Sequence, residues 1–245
     1  MTEASIPRRI AITGASSEIG LAIAKALVSQ NDSAILHTAH KANILHTTFP
    51  INNFPSVDIV TADLADPQAL QEFCLKMENI DILVNAAAVT ITDLLPSLDD
   101  AAIDAMVAVN ILAFTRITKA TIAGMMRRRK GSIINISSIA ATRSNRGQTV
   151  YAGTKGYMES FSRALASEAG ARGVRVNCVA PGAIEAGTLR ALLADAPEEV
   201  LSSNVMKRLG SPQDVAQAVQ YLASNASAFV NGQVLHVDGG FCRGA

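Results

Sequence analysis

The chain has no tryptophan, three tyrosines and seven phenylalanines in 245 residues, which makes it 4% aromatic. A protein that binds bases or sugars by stacking needs a platform of rings, so that class is excluded on composition. Net charge is also absent: 21 basic side chains balance 21 acidic ones, whereas nucleic-acid binders carry a basic excess. The three cysteines, Cys74, Cys178 and Cys242, are far apart, odd in number and in no CxxC spacing. Neither a disulfide framework nor a thiolate zinc site is expected, and a reducing compartment is. The four histidines show no ligand spacing, and His236, alternating within an apolar strand, reads as structural. No run approaches the 18 apolar residues of a membrane span. The first residues, MTEASIPRR, lack the apolar stretch of a signal peptide. The expectation is a cytoplasmic protein with no membrane, nucleic-acid or metal partner.

What is present is 49% apolar, in a length that fits one domain burying roughly 70–75% of its unfolded surface. Seven β-rich runs alternate with helical patterns: RRIAIT (8–13), SAILHT (33–38), VDIVTADL (57–64), IDILVNAA (80–87), SIINISS (132–138), VRVNCVAP (174–181) and QVLHVDGG (233–240). Helices are predicted from near Glu18, from the Asp66-Pro67 cap, from about Asp99 to Arg129, from about Val150 to Arg172, and from Ser211-Pro212. Near-continuous apolar strands alternating with helices predict an α/β fold. It is a single doubly wound Rossmann domain over 1–245, its seven-stranded parallel sheet flanked by helices on both faces. Two stretches break the rhythm. Residues 39–56 read as a loop or a degenerate short helix, and residues 182–209 as an insertion where a substrate lid would sit.

After the first strand comes Thr13-Gly14-Ala15-Ser16-Ser17-Glu18-Ile19-Gly20. A tight strand-to-helix turn aims backbone N–H groups and a helix N-terminus at a pyrophosphate, although ordinary glycine turns share this form. Where an NAD enzyme carries an acid on the ribose hydroxyls, the chain reads His37-Thr38-Ala39-His40-Lys41. A cation there can meet a 2′-phosphate, which favours NADP(H) over NAD(H); the alternative is a solvated polar loop. Asp63, ending the third strand, could reach an adenine amino group or could cap the next helix.

Tyr151 and Lys155 share one helix face at i, i+4 spacing, and Ser138 ends the strand before them. A phenol titrates near 10 in isolation; an adjacent cation stabilises its anion and brings it into range for proton transfer. A serine hydroxyl can hold a carbonyl oxygen beside it.

With these motifs the chain resembles the short-chain dehydrogenase/reductase family over nearly its whole length. The matching stretches are TGASSEIG (13–20), Asp63-Leu64, LVNAAA (83–88), Asn110 in VAVNILAF, INISS (134–138), YAGTK (151–155), RVNCVAPGAI (175–184), RLGSPQDVA (208–216) and NGQVLHVDGG (231–240). The resemblance implies that Tyr151 transfers the substrate proton and that Lys155 tunes it and holds the nicotinamide ribose. Ser138 would orient the carbonyl, and Asn110 would anchor a water in a proton relay. It implies a dinucleotide held by Gly14, Ser16, Ser17, Glu18, Ile19, His37, Asp63, Leu64, Asn85, Ala86, Ala87, Pro181, Gly182 and Ile184, together with Tyr151 and Lys155. The chain departs from the family pattern at Ser17 and Glu18, at Ala88 in place of a glycine, and at Ala186 in place of a threonine. Thr188 is the nearest hydroxyl that could supply the hydrogen bond missing at Ala186.

Within the family the resemblance runs closest to bacterial 3-oxoacyl-[acyl-carrier-protein] reductases, through residues 125–138 and 171–186. That implies an acidic acyl carrier protein docking at Arg129 and Arg172; the alternative is that the cations Arg127 to Lys130 complement a helix dipole. The helix around 101–123, apolar almost all round, needs cover on a second side, and the resemblance implies a homotetramer. Two other readings stay open: a dehydrogenase of another secondary alcohol, and a catalytically weak binding or regulatory protein on the same fold. Glu18 beside a phosphate at about 4 Å costs roughly 1 kcal/mol in water and about 4 at an effective dielectric of 20. Glu18→Gly should therefore tighten cofactor binding in a titration; unchanged or weaker binding would mean that Glu18 does not repel phosphate.

Overall fold

A computed structural model describes residues 7–54, 56–186 and 205–241. The strands are β1 (Arg9–Thr13), β2 (Ser33–Thr38), β3 (Val57–Thr61), β4 (Ile82–Asn85), β5 (Gly131–Ile136), β6 (Val174–Pro181) and β7 (Val234–Val237). They form one sheet in the order β3-β2-β1-β4-β5-β6-β7, with every pairing parallel. The strand order reverses between β1 and β4, and in such sheets a crevice opens there beyond the carboxyl ends of the strands.

Period-two alternation divides the core into two layers. Ile10, Ile12, Ile82, Val84, Ile134 and Ile136 face one side, with Ile23, Leu27, Val215 and Val219 of helices α1 (Glu18–Leu27) and α7 (Pro212–Ala223). Ala11, Leu83 and Ile133 face the other, with Phe73, Ile117 and Ala166. Those three lie on α3 (Pro67–Leu75), α5 (Phe114–Arg128) and α6 (Thr149–Ala169). The predicted caps are present: Asp66 accepts from Ala69 N–H ahead of Pro67, and Ser211 with Asp214 closes a capping box ahead of Pro212.

Residues 39–56 hold a one-sided short helix, α2 (Ala42–Thr48), and a 3-10 turn, Ile51–Asn53. Leu45 and Phe49 are the buried anchors of this segment. The helix predicted over 99–129 is instead three pieces: α4 (Asp100–Val107), a π turn (Ala108–Ala113) and α5. Taken as one, Asp100–Arg128 is long and apolar enough, by length and composition alone, to cross a membrane, which corrects the expectation that no such run exists. Its buried Asn110, Thr118 and Thr121 mark it as a helix of the domain core. His236 is exposed, because β7 is an edge strand. Most of the expected substrate segment, residues 187–204, and Cys242 lie outside the described residues.

Asp32, just ahead of β2, is 2% exposed and clamps the start of β1. Its carboxylate accepts from Arg8 Nη2 at 2.6 Å, Arg8 Nε at 3.1 Å, and the Ser29 hydroxyl and N–H. Burial raises this carboxyl, but the bonds from Arg8 and Ser29 outweigh it and hold it at about 2, against 3.8 ordinarily. A carboxylate depressed in the folded state stabilises the fold above its ordinary value and loses that contribution as pH falls toward the folded one. Asp32→Asn should cost on the order of 2 kcal/mol at neutral pH and flatten the fall in stability between about pH 4 and pH 2. Urea unfolding across that window measures both.

Candidate active site

The residues read as functional gather at the carboxyl edge of the sheet. Gly14 adopts φ 68°, and a Cβ there would lie 2.8 Å from Ala87 Cα, while one at Gly20 would collide with the Gly14 carbonyl. Only glycine allows the β1 turn to press against both the β4 loop and its own helix. Thr13 Oγ1 accepts from Ala86 and Ala87 N–H, both at 3.1 Å, and fixes that loop against the turn. Ser17 caps α1 by accepting from Gly20 N–H. The N–H of Ile19, in the first helical turn, has no intrahelical acceptor. Such a cradle fits a pyrophosphate. Glu18, exposed, opens the helix beside it. Ser16 shares a 2.7 Å hydrogen bond with Thr38, joining the turn to the end of β2.

Two residues expected at the cofactor turn their side chains inward. His37 is 1% exposed; its ring lies under the turn with both nitrogens engaged, on Gly14 N–H and the Ala62 carbonyl. It cannot present a cation to a 2′-phosphate from there, whereas His40 and Lys41 are exposed. Asn85 also points inward: its amide donates to Asn135 Oδ1 at 2.9 Å and to Thr118 Oγ1 at 3.2 Å. Asp63 is exposed at the crevice and turns one oxygen back to Ala65 N–H; the cap of α3 is Asp66 instead. Leu64 is buried behind it. Pro181 ends β6, Gly182 packs where a Cβ would meet Asp238 Cα at 2.7 Å, and buried Ile184 bridges to Gly210. Ala186 is described; Thr188 lies outside the described residues.

The residues read as catalytic are carried by the end of β5, the π turn and α6. Ser138 follows β5 and caps a short turn, Ile139–Ala141, accepting from Ala140 N–H at 3.1 Å. Lys155 is 2% exposed. Its ammonium donates to the Ile136 carbonyl at 2.8 Å and lies 5.7 Å from the Tyr151 ring centre. Among the described residues it has no carboxylate partner within ion-pair distance. Asn110, fully buried in the π turn, grips the Val89 backbone through both amide atoms at 2.8 Å and donates to Thr154 Oγ1 at 3.1 Å. Thr154 in turn donates to the Tyr151 carbonyl at 2.7 Å. Thr154 is a link that motif reading missed, although its place inside YAGTK marks it.

One row deeper, Asn135 donates to Ser162 Oγ at 2.8 Å, and the Cys178 thiol donates to the same oxygen at 3.2 Å. Burial, the largest effect, pushes that thiol up to about 12.

Arg129 and Arg172 do come together, with Arg129 donating to the Ala171 carbonyl at 2.9 Å. They precede β5 and β6, while Ser138 follows β5. The length of the strand, about 20 Å, separates them from the crevice of their own chain.

Sheet order and turn define a dinucleotide-binding α/β domain, and the hydroxyl, phenol and ammonium beside its crevice make the class an oxidoreductase. A family model described as "Enoyl-(Acyl carrier protein) reductase" matches residues 14–242. Nodulation protein G of Rhizobium sp. (strain N33) is 38% identical over 237 residues, covering 95% of this chain and 96% of its own. The 3-oxoacyl-[acyl-carrier-protein] reductase of Escherichia coli (strain K12) is 36% identical over 232 residues, covering 94% and 95%. Among solved structures, a short chain dehydrogenase/reductase family protein has TM-score 0.87 at 32% identity, covering 95% of this chain and 96% of that one. A 3-oxoacyl (acyl-carrier-protein) reductase from Agrobacterium tumefaciens C58 with NADP bound has 0.86 at 26%, covering 95% and 93%. The chain belongs to the short-chain dehydrogenase/reductase family.

Tyr151 on α6 and Ser138 after β5 bring a phenol and a hydroxyl to the residues read as catalytic, groups whose chemistry suits moving a proton to a carbonyl oxygen and holding that oxygen. The hydride would come from, or go to, a nicotinamide when one is bound. Tyr151→Phe should lower turnover by at least about 10²-fold while cofactor affinity, measured by fluorescence titration, changes little. Undiminished turnover in that variant would remove Tyr151 from the role.

Proposed function

We propose that the protein is an NADP(H)-dependent reductase of 3-oxoacyl thioesters, acting as a single domain over 1–245 with a substrate-covering segment at 182–209. The observation that carries this reading is the Ser138–Tyr151–Lys155 group beside a glycine turn, in a chain similar along nearly its full length to 3-oxoacyl-[acyl-carrier-protein] reductases. Ser138 positions the 3-oxo group, Tyr151 delivers the proton, and Lys155 and Asn110 hold the phenol and its surroundings in place. Gly14, Ser16, Ser17, Ile19, Ala86 and Ala87 receive the pyrophosphate side of the cofactor, Asp63 and Leu64 the adenine side, and Pro181, Gly182 and Ile184 the nicotinamide side.

The preference for NADP(H) is supported by the end of β2. No acid follows Thr38, and exposed His40 and Lys41 offer positive charge for a 2′-phosphate. Arg129 and Arg172 are proposed as contacts for an acidic carrier protein. Because their own crevice lies at the other edge of the sheet, they serve the crevice of an adjoining subunit in a cytoplasmic homotetramer.

Reduction of acetoacetyl thioester with NADPH and NADH, set beside oxidation of a panel of secondary alcohols with NADP+ and NAD+, tests the reading. The expected result is thioester reduction at least about tenfold faster with NADPH, equivalent to 1.4 kcal/mol of preference. Turnover of secondary alcohols alone would overturn the substrate assignment, and no affinity for any nicotinamide cofactor would overturn the reading as a whole.

A further inference from the structure

His37 is the penultimate residue of β2, beside the crevice, but its two ring nitrogens face the protein and play different parts. Nε2 lies 2.9 Å from the Ala62 carbonyl, a group that can only accept, so Nε2 carries the proton. Nδ1 accepts the Gly14 N–H at 3.2 Å. A ring that donates at one nitrogen and accepts at the other is the neutral imidazole in a single tautomer. The residue's own carbonyl accepts Ala15 N–H at 2.8 Å. The turn after β1, the end of β2 and the end of β3 are thus fastened through one side chain, at the place where the phosphate cradle meets the adenine side. Phe73 of α3 covers the ring, centroids 4.9 Å apart and tilted by 59°.

A second proton has no place in this arrangement. It would turn Nδ1 into a donor facing the Gly14 donor, and would set a charge against Phe73 in a site closed to water. Burial already pushes the imidazole below its ordinary 6.5, against the smaller opposing pulls of the Ala62 bond and the Asp63 carboxylate. Asp63, from the loop after β3, is the one charged group among the described residues that acts on the ring. β1 presents it with backbone, and α3 presents the Phe73 ring.

We propose that His37 is a positioning residue for the dinucleotide. Its neutral imidazole holds the Gly14 turn in the shape that receives the pyrophosphate, and a proton on Nδ1 releases the turn and with it the cofactor. The proposal rests on the dinucleotide reading of the crevice. Its sign follows from linkage: the cofactor favours the form that excludes the proton, so affinity is full above the imidazole's range in the free protein, already lowered from 6.5 by burial, and is lost as pH falls through that range. Cofactor affinity is therefore full at neutral pH and declines in acid, by up to about tenfold per pH unit for one linked proton.

NADPH affinity of the full chain, measured by fluorescence titration from pH 8.0 to 5.0, tests this alongside His37→Asn. The asparagine oxygen can accept Gly14 N–H as Nδ1 does, but it does not titrate. The variant is expected to bind NADPH at pH 8.0 within a few-fold of the parent and to lack the additional loss of affinity below pH 6.5. Identical pH dependence in the two proteins would overturn the proposal. Should the variant fail to fold, nitrogen NMR of the parent with 15N-labelled histidine decides. One protonated and one bare nitrogen on His37, with a titration midpoint moved lower by NADPH, supports the proposal. A midpoint indifferent to NADPH overturns it. If the parent binds neither NADPH nor NADH at pH 7.5, the dinucleotide reading itself falls and this proposal falls with it.

Discussion

The site depends on a buried row of hydrogen bonds that runs across the sheet. Parallel pairing sets Asn85, Asn135 and Cys178 side by side on β4, β5 and β6. Asn85 donates to Asn135, Asn135 and Cys178 converge on Ser162 of α6, and Ser162 donates to Met158 O at 2.6 Å. Each bond is worth only about 0.5–1.5 kcal/mol net. Asn85 Oδ1 is buried without a partner, but leaving the row's donors unpaired as well would cost more than each bond contributes, which favours this register. That register sets the height of α6 on the sheet, and with it the level at which Tyr151 and Lys155 meet the crevice.

Above this row the site is built by backbone groups more than by charges. Lys155 rests on a carbonyl, Asn110 on the Val89 peptide, Ser138 on an N–H, and Gly14 on His37. Acidic partners would neutralise the ammonium; carbonyls orient it and leave its charge in place. The buried carboxylate nearby, Glu159, is occupied by the Ser137 hydroxyl at 2.7 Å, which ties the residue between β5 and Ser138 to the helix that carries the phenol. The π turn at Ala108–Ala113 fits the same logic. An extra residue in the helical turn swings Asn110 inward to the loop after β4, a local irregularity of the kind that gathers at functional sites.

The alternation of strands and helices was legible because most strands are apolar along their length and several helices carry a cap, such as Asp66-Pro67 and Ser211-Pro212. Ser138, Tyr151 and Lys155 were legible as candidates because motif and spacing coincide. The burial of His37 was not: a histidine in the polar string HTAHK reads as a cation for a phosphate or as part of a solvated loop, and only the three-strand junction shows it buried. The π turn left no trace either, since its residues are as apolar as those of the α-helix on either side. The separation of Arg129 from Ser138 could have been read directly. One precedes β5 and the other follows it, and in a parallel sheet those positions lie at opposite edges.

Cys178 closes the row of buried hydrogen bonds, and its thiol is held at about 12. Oxidants and alkylating agents react with the thiolate, a form this residue almost never adopts near neutral pH. The row therefore includes a sulfur atom without becoming sensitive to redox conditions. Burial that would be costly for a charged group here keeps the spine of the active site chemically inert.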